Sequence, residues 1–314
     1  SAIQELNTDA WSHRRKTMKP LHRAFVQRAR RCPLRFAMAD ARVPKLSFGG
    51  ALMKVIFLAR RLRSHWAGQE KVGILLPPSV AGALVTLAAL LMGKVPVNLN
   101  YTLSEEPLAS CVGQCQIQTL LTSQAFLDRV KVKIPCRTLL LEEVAGQPRL
   151  GEKLLALALA WFTPAGALER AVGRERPGSL DDLATVIFSS GSTGEPKGVM
   201  LTHYNILSNA AQLGQLLDFG PRDRFLGILP FFHSFGFTAT LTAPAVMGIG
   251  VAFHPNPLDA KPIGELVRRY SLTYLMATPT FLQIYLRSCD PSDFGSLRSV
   301  MASAEKLPDW LANA

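Results

Sequence analysis

The sequence predicts an α/β protein built on doubly wound parallel sheets. Three observations carry that expectation. Short apolar runs alternate with longer amphipathic or apolar stretches along most of the chain. An apolar fraction of 48% supplies a sizeable core, and a charged fraction of 18% argues against disorder. The 314 residues leave room for two domains or one large α/β unit.

A first helix is expected over residues 20–31. A second, over 49–66, places Leu52, Val55, Ile56, Ala59 and Leu62 on one stripe and Lys54, Arg60, Arg61 and Arg63 on the other face. Such a helix packs on a sheet or lies on a membrane surface. Strands then follow at 72–76, 95–98, 117–122 and 137–141, with helices at 79–92 and 104–115. Residues 142–182 break the rhythm with Gly146, Pro148, Gly151, Pro164, Gly173 and Pro177. Within them an apolar helix over 153–162 is expected. Its Leu154, Leu155, Trp161 and Phe162 suit core packing better than lipid contact. The alternation restarts with strands at 184–189, 225–229, 250–253, 273–277 and 297–302, and helices at 204–216, 235–247, 263–270 and 281–287. Three units are therefore expected: a tail or linker over 1–17, a first α/β subdomain over 18–178 with an excursion at 142–178, and a second over 179–314.

Two long stretches lack Asp, Glu, Lys and Arg: 22 residues over 72–93 and 34 over 225–258. Pro77 and Pro78 interrupt the first, and Pro230, Pro244 and Pro255 the second. A membrane span needs roughly 20 unbroken apolar residues, so both read as buried strand–turn–helix pieces. The five cysteines form no C-x-x-C pair and show no zinc spacing, which fits a reducing, cytoplasmic setting. The net charge of +12 is confined to residues 1–71, with 16 Lys/Arg against 4 Asp/Glu. A basic face there suits an anionic membrane, an acidic protein or plain solvation. No helix-turn-helix, RNA-binding aromatic motif or zinc finger supports nucleic acid.

One segment carries chemistry: Ser189-Ser-Gly-Ser-Thr-Gly-Glu-Pro-Lys-Gly198, entered from Val186-Ile-Phe188 and left through Val199-Met-Leu201. Ser189, Ser190, Ser192 and Thr193 offer hydroxyls. Gly191, Gly194 and Gly198 let the backbone approach a ligand, and Lys197 adds a positive charge. A polyphosphate-binding loop requires these features. It is not a Walker A loop, because Lys197 lies between Pro196 and Gly198.

This string resembles the signature loop of the acyl-adenylate-forming enzymes, which include acyl-CoA synthetases, luciferases and peptide-synthetase adenylation domains. Leu229-Pro-Phe-Phe-His-Ser-Phe-Gly236 is similar to the family's aromatic–His motif. Thr278-Pro-Thr280 resembles the turn beside the acyl pocket, and Ser303-Ala-Glu-Lys-Leu-Pro308 the adenine-side loop, with Ser303 where the family usually has Gly. Residues 223–236, His254-Pro-Asn-Pro-Leu258 and Ala302-Ser-Ala-Glu-Lys-Leu307 further resemble the synthetase part of the bifunctional 2-acylglycerophosphoethanolamine acyltransferase/acyl-[acyl-carrier-protein] synthetases of bacterial membranes (the Aas type).

The resemblance implies the large N-terminal domain of the adenylate-forming fold, two stacked doubly wound α/β subdomains, stopping before the C-terminal domain. It implies ATP and Mg²⁺, with the usual Glu ligand of the metal beyond residue 314, and hence a fragment inactive by itself. It implies a fatty acid joined through acyl-AMP to the thiol of acyl carrier protein or CoA, for lysophospholipid reacylation, at the cytoplasmic side of the membrane. His233 and Lys197 would be catalytic. Ser189, Ser190, Gly191, Ser192, Thr193, Gly194, Lys197 and Gly198 would hold phosphates, and Ser303, Ala304 and Glu305 would lie against the adenine. Phe232, Phe235 and Phe237 would wall an acyl tunnel. A catalytically silent binding module and a ligase for an aryl or other acid remain alternatives.

Overall fold

The computed structural model describes residues 15–189 and 195–312. Helix α1 (Leu21–Arg31) buries Leu21, Phe25, Val26 and Ala29 and ends in Arg28, Arg30 and Arg31, which suit the negative end of its dipole. Strands β1 (Phe36–Ala39) and β2 (Leu46–Ser47) follow. Helix α2 (Phe48–Leu62) starts where the Ser47 hydroxyl accepts from the Gly50 amide. All five residues of its expected stripe are buried.

The next elements are β3 (Lys71–Ile74), α3 (Val80–Leu91), β4 (Val95–Asn98), α4 (Glu105–Gln114), β5 (Thr119–Thr122), α5 (Gln124–Val130) and β6 (Arg137–Leu140). Their strands form a parallel sheet in the order β4-β3-β5-β6. Helix α3 is buried on nearly every side, which explains the uncharged run through 72–93. Among the described residues no helix is long and apolar enough to cross a membrane.

The excursion at 142–178 contains three helices, α6 (Leu141–Ala145), α7 (Leu150–Phe162) and α8 (Ala165–Ala171), of which α7 is the apolar helix expected over 153–162. Ala156, Ala160 and Leu168 join the main core with α2. The expected packing of the 154–162 cluster is only partly met. Trp161 packs on the core, whereas Leu154, Leu155 and Phe162 face outward.

Strands β7 (Leu183–Ser189) and β8 (Lys197–Thr202) make an antiparallel hairpin, so the segment after the hydroxyl-rich loop is a strand. Helix α9 (His203–Leu216) follows, capped by Thr202 and Asn205 in a reciprocal pair. Then come β9 (Arg224–Gly227), a π-helical turn (Gly236–Thr242), α10 (Ala243–Met247), β10 (Gly250–Phe253), α11 (Ala260–Tyr270), β11 (Tyr274–Ala277), α12 (Pro279–Ser288), β12 (Ser299–Ala302) and α13 (Asp309–Ala312). Their sheet has the order β12-β11-β9-β10-β1-β2, parallel except at the edge strand β2. A boundary at residue 178 does not divide the sheets, because β1 and β2 pair beyond β10.

Candidate active site

In a parallel sheet the strands deliver their loops to the carboxyl edge. A crevice opens there where successive connections leave in opposite directions. Here that point is β9. The chain goes from β9 to β10 on one side and returns to β11 on the other. The loops leaving β9, β11 and β12 carry His233, Thr278–280 and Ser303–305. The fold thus brings together three of the segments expected to act.

His233 is exposed, and its Nδ1 accepts from the Phe235 amide at 3.3 Å. A compact turn presents it, with the His233 amide donating to Pro230 and the Phe237 amide to the His233 carbonyl. Gly236 makes that turn feasible, because a Cβ there would collide with the carbonyl oxygen of Pro230. The π-helical turn that follows is supported by the Thr240 hydroxyl, which donates to the Gly236 carbonyl at 2.8 Å. Such turns are frequent at functional sites.

The three phenylalanines have different places. Phe237 is fully buried. Phe232 stacks edge-on against Tyr101, whose hydroxyl burial pushes up to about 12, so it stays neutral. Phe235 lines a cavity of about 310 Å³, together with Leu201, Ile206, Ser234 and Thr238. Asn205 and Asn209 stand at its rim. The cavity therefore has the hairpin and α9 on one side and the His233 loop on the other. Sequence reading missed Leu201, Ile206 and Thr238, which carry no local mark of a ligand.

The hairpin positions both ends of the hydroxyl-rich loop. Ser189 pairs with Lys197 across the strands, and both are exposed. The Gln114 side chain donates to the carbonyl of buried Pro196 at 2.9 Å. The Thr185 hydroxyl donates to the Pro96 carbonyl at 2.8 Å, tying the hairpin to β4. Gly198 serves packing, since a Cβ there would lie 3.0 Å from Val186 and 3.2 Å from Phe188. Ser190, Gly191, Ser192, Thr193 and Gly194 lie outside the described residues.

At the β12 end, the Glu305 carboxylate accepts from the Thr280 hydroxyl at 2.6 Å and its amide at 3.2 Å. These bonds hold the carboxyl below its usual range and seat it at the N-terminus of α12. Ala304 takes a left-handed φ of 71°, so the backbone strain of this loop sits at 304 and not at Ser303. Among the described residues no three His, Cys, Asp or Glu side chains converge as a metal site.

The model of a family described as AMP-binding enzyme matches residues 25–314. The medium-chain fatty-acid–CoA ligase of Escherichia coli K12 is 26% identical over 254 residues, 77% of this chain and 43% of that protein. Chondramide synthase cmdD of Chondromyces crocatus is 27% identical over 271 residues, 86% of this chain and 6% of that protein. Among solved structures, o-succinylbenzoate CoA synthetase from Bacillus subtilis, in complex with its acyl-adenylate intermediate, matches with a TM-score of 0.77 at 23% identity. That match covers 94% of this chain and 56% of the other. The chain spans less than half the length of the curated relatives it matches.

Proposed function

Because the chain belongs to the AMP-binding enzyme family and carries the fold of the N-terminal domain of adenylate-forming enzymes, we propose that it serves an ATP-dependent ligase joining a fatty acid to a thiol. The cavity between the hairpin and the His233 loop carries this reading. Its apolar lining suits a fatty chain, and Leu201 in that lining lies on the same strand as Lys197.

In the proposed reaction a carboxylate oxygen attacks the α-phosphorus of ATP. A new P–O bond forms, the bond to the β-phosphate breaks, and pyrophosphate leaves with the electron pair. A thiolate then attacks the acyl carbonyl and AMP departs. The protein's task is positioning and charge neutralisation. The 189–198 loop and Lys197 hold the departing β- and γ-phosphates. His233 orients the carboxylate at the mouth of the cavity, and the backbone of 303–305 lies along the adenine. The acceptor we favour is acyl carrier protein, with the acyl group passed on to a lysophospholipid, in keeping with the Aas-type resemblance. The basic first quarter of the chain suits an acidic carrier or an anionic membrane.

The test is calorimetric titration of the 314-residue chain with a non-hydrolysable dodecanoyl-adenylate analogue. Saturable binding is expected, weakened about tenfold by His233→Ala and little changed by Lys197→Ala, since that lysine serves the departing phosphates. No binding, or binding indifferent to His233→Ala, overturns the reading. Tighter binding of a benzoyl analogue assigns an aryl acid instead. Absence of ATP–pyrophosphate exchange in the full-length product assigns a silent binding module.

A further inference from the structure

Helix α7 has a face that nothing among the described residues covers. Its inner side is fixed: Ala156 and Ala160 are buried, and Glu152 turns inward to Arg61 through bonds of 2.7 and 2.9 Å. Its outer side presents Leu150 at 72% exposure, Leu154, Leu155, Leu157 and Phe162 at 83%. Lys153 is the only charged residue on that side. Leu34 is also exposed, at 90%. It follows Pro33, which with the Trp161 ring closes over Gly49.

The surroundings of this face are basic. Helices α1 and α2, which pack beside α7, contain no acidic residue. Arg30 caps the end of α7 by donating to the carbonyls of Ala160 and Thr163, both at 2.6 Å. Arg60 and Arg61 stand beside Leu155 along its first turns. The one carboxylate on the helix, Glu152, is neutralised by Arg61. An apolar helix face with few charges, rimmed by arginine and lysine, matches a lipid surface with anionic headgroups. At 13 residues the helix is about 20 Å long, too short to cross a bilayer core, so it would lie in the interface plane.

We propose that the outer face of α7 docks the protein on an anionic membrane, with its leucines and Phe162 among the acyl chains and the flanking cations on the headgroups. The inference rests on this surface alone. The vesicle assay below succeeds or fails independently of adenylate binding.

The experiment is co-sedimentation of the 314-residue chain with vesicles of phosphatidylcholine, pure or mixed with phosphatidylglycerol. Binding to the mixed vesicles is expected, weaker on pure phosphatidylcholine and falling as salt rises. The double variant Leu154→Glu/Phe162→Glu should bind about tenfold or more weakly, with an unchanged melting curve because both side chains are exposed. No vesicle binding by the wild-type chain overturns the proposal. So does binding that survives the double variant yet falls with Lys153→Glu, which assigns a charge contact without insertion. A dimer that the double variant abolishes, without vesicle binding, assigns the face to a second copy.

Discussion

The side-chain amide of Gln114 donates to the carbonyl of Pro196 over 2.9 Å, although 82 residues separate the two. Pro196 immediately precedes Lys197, so α4 holds the start of β8, where the chain leaves the hydroxyl-rich segment, in place. Replacing Gln114 with Ala removes the donor and leaves a carbonyl of a buried residue short of its partner. We expect a loss of about 1 kcal/mol in stability. We also expect ATP-analogue binding to weaken roughly threefold to tenfold through loss of positioning. Urea melts and calorimetry read the two effects separately. Unchanged nucleotide affinity would show that the loop is positioned without this anchor.

Acid stability should turn on Glu169. Its burial favours the neutral acid, but the hydrogen bonds from Arg23 at 2.6 and 2.8 Å and from His22 at 2.8 Å outweigh that and hold the carboxyl down to about 2. Because His22 Nε2 donates, its Nδ1 is left without a partner, and burial keeps the ring neutral. His203 beside it is lowered to about 3, mainly by burial, with the charge of Arg174 adding to the effect. The folded carboxyl is depressed, so its contribution is whole above the ordinary Glu value of 4.5 and is lost as pH falls through about 2. The size is on the order of 2–3 kcal/mol. Urea midpoints measured from pH 7 to 2 should begin to fall below about 6.5, where unfolded His203 takes up a proton that the folded ring refuses, and fall further below about 4.5; Glu169→Gln should start lower and flatten only the part below about 4.5. A wild-type slope retained in the variant would place the acid sensitivity elsewhere.

The loop at 303–305 stores its strain at Ala304. A left-handed φ costs an Ala about 1–2 kcal/mol, part of which Gly returns through its freer unfolded state. Ala304→Gly should therefore raise stability by up to about 1 kcal/mol, whereas Ser303→Gly should not. Chemical denaturation of the two variants decides the matter. The opposite ranking would move the strain to 303.

Much of this architecture could be read in the sequence because burial leaves a local trace. The stripe Leu52, Val55, Ile56, Ala59, Leu62 marks α2, and the uncharged runs mark buried strands together with the enclosed helix α3. Strands β1 and β2 leave no such trace. Phe36–Ala39 is four residues long, lies among arginines, and becomes a strand only because Val251 and Ala252 pair with it. A phosphate-holding role for the hydroxyl-rich loop was legible only as an expectation, carried by its residue types. Its support was not. The bonds Gln114–Pro196 and Thr280–Glu305 join residues that meet only in the fold. The apolar residues of α7 were ambiguous for a simpler reason: composition shows that a leucine is apolar, not what covers it.

The cavity beside His233 offers the sharpest test of substrate size. Leu201 leaves β8 half-buried and faces Phe235 and Thr238 across about 310 Å³. Leu201→Phe adds ring volume to that space from a strand whose outer residues are exposed, so the fold should tolerate it. A fatty chain seated in the cavity would lose room along its length, while a two-carbon acyl group would never reach the obstruction. We expect the dodecanoyl-adenylate analogue to bind about tenfold more weakly to the variant and the acetyl analogue within about twofold of wild type. An equal loss for both analogues would mean that the substitution disturbs the nucleotide side, and that the acyl chain runs elsewhere. No loss for either would remove this cavity from the acyl path altogether.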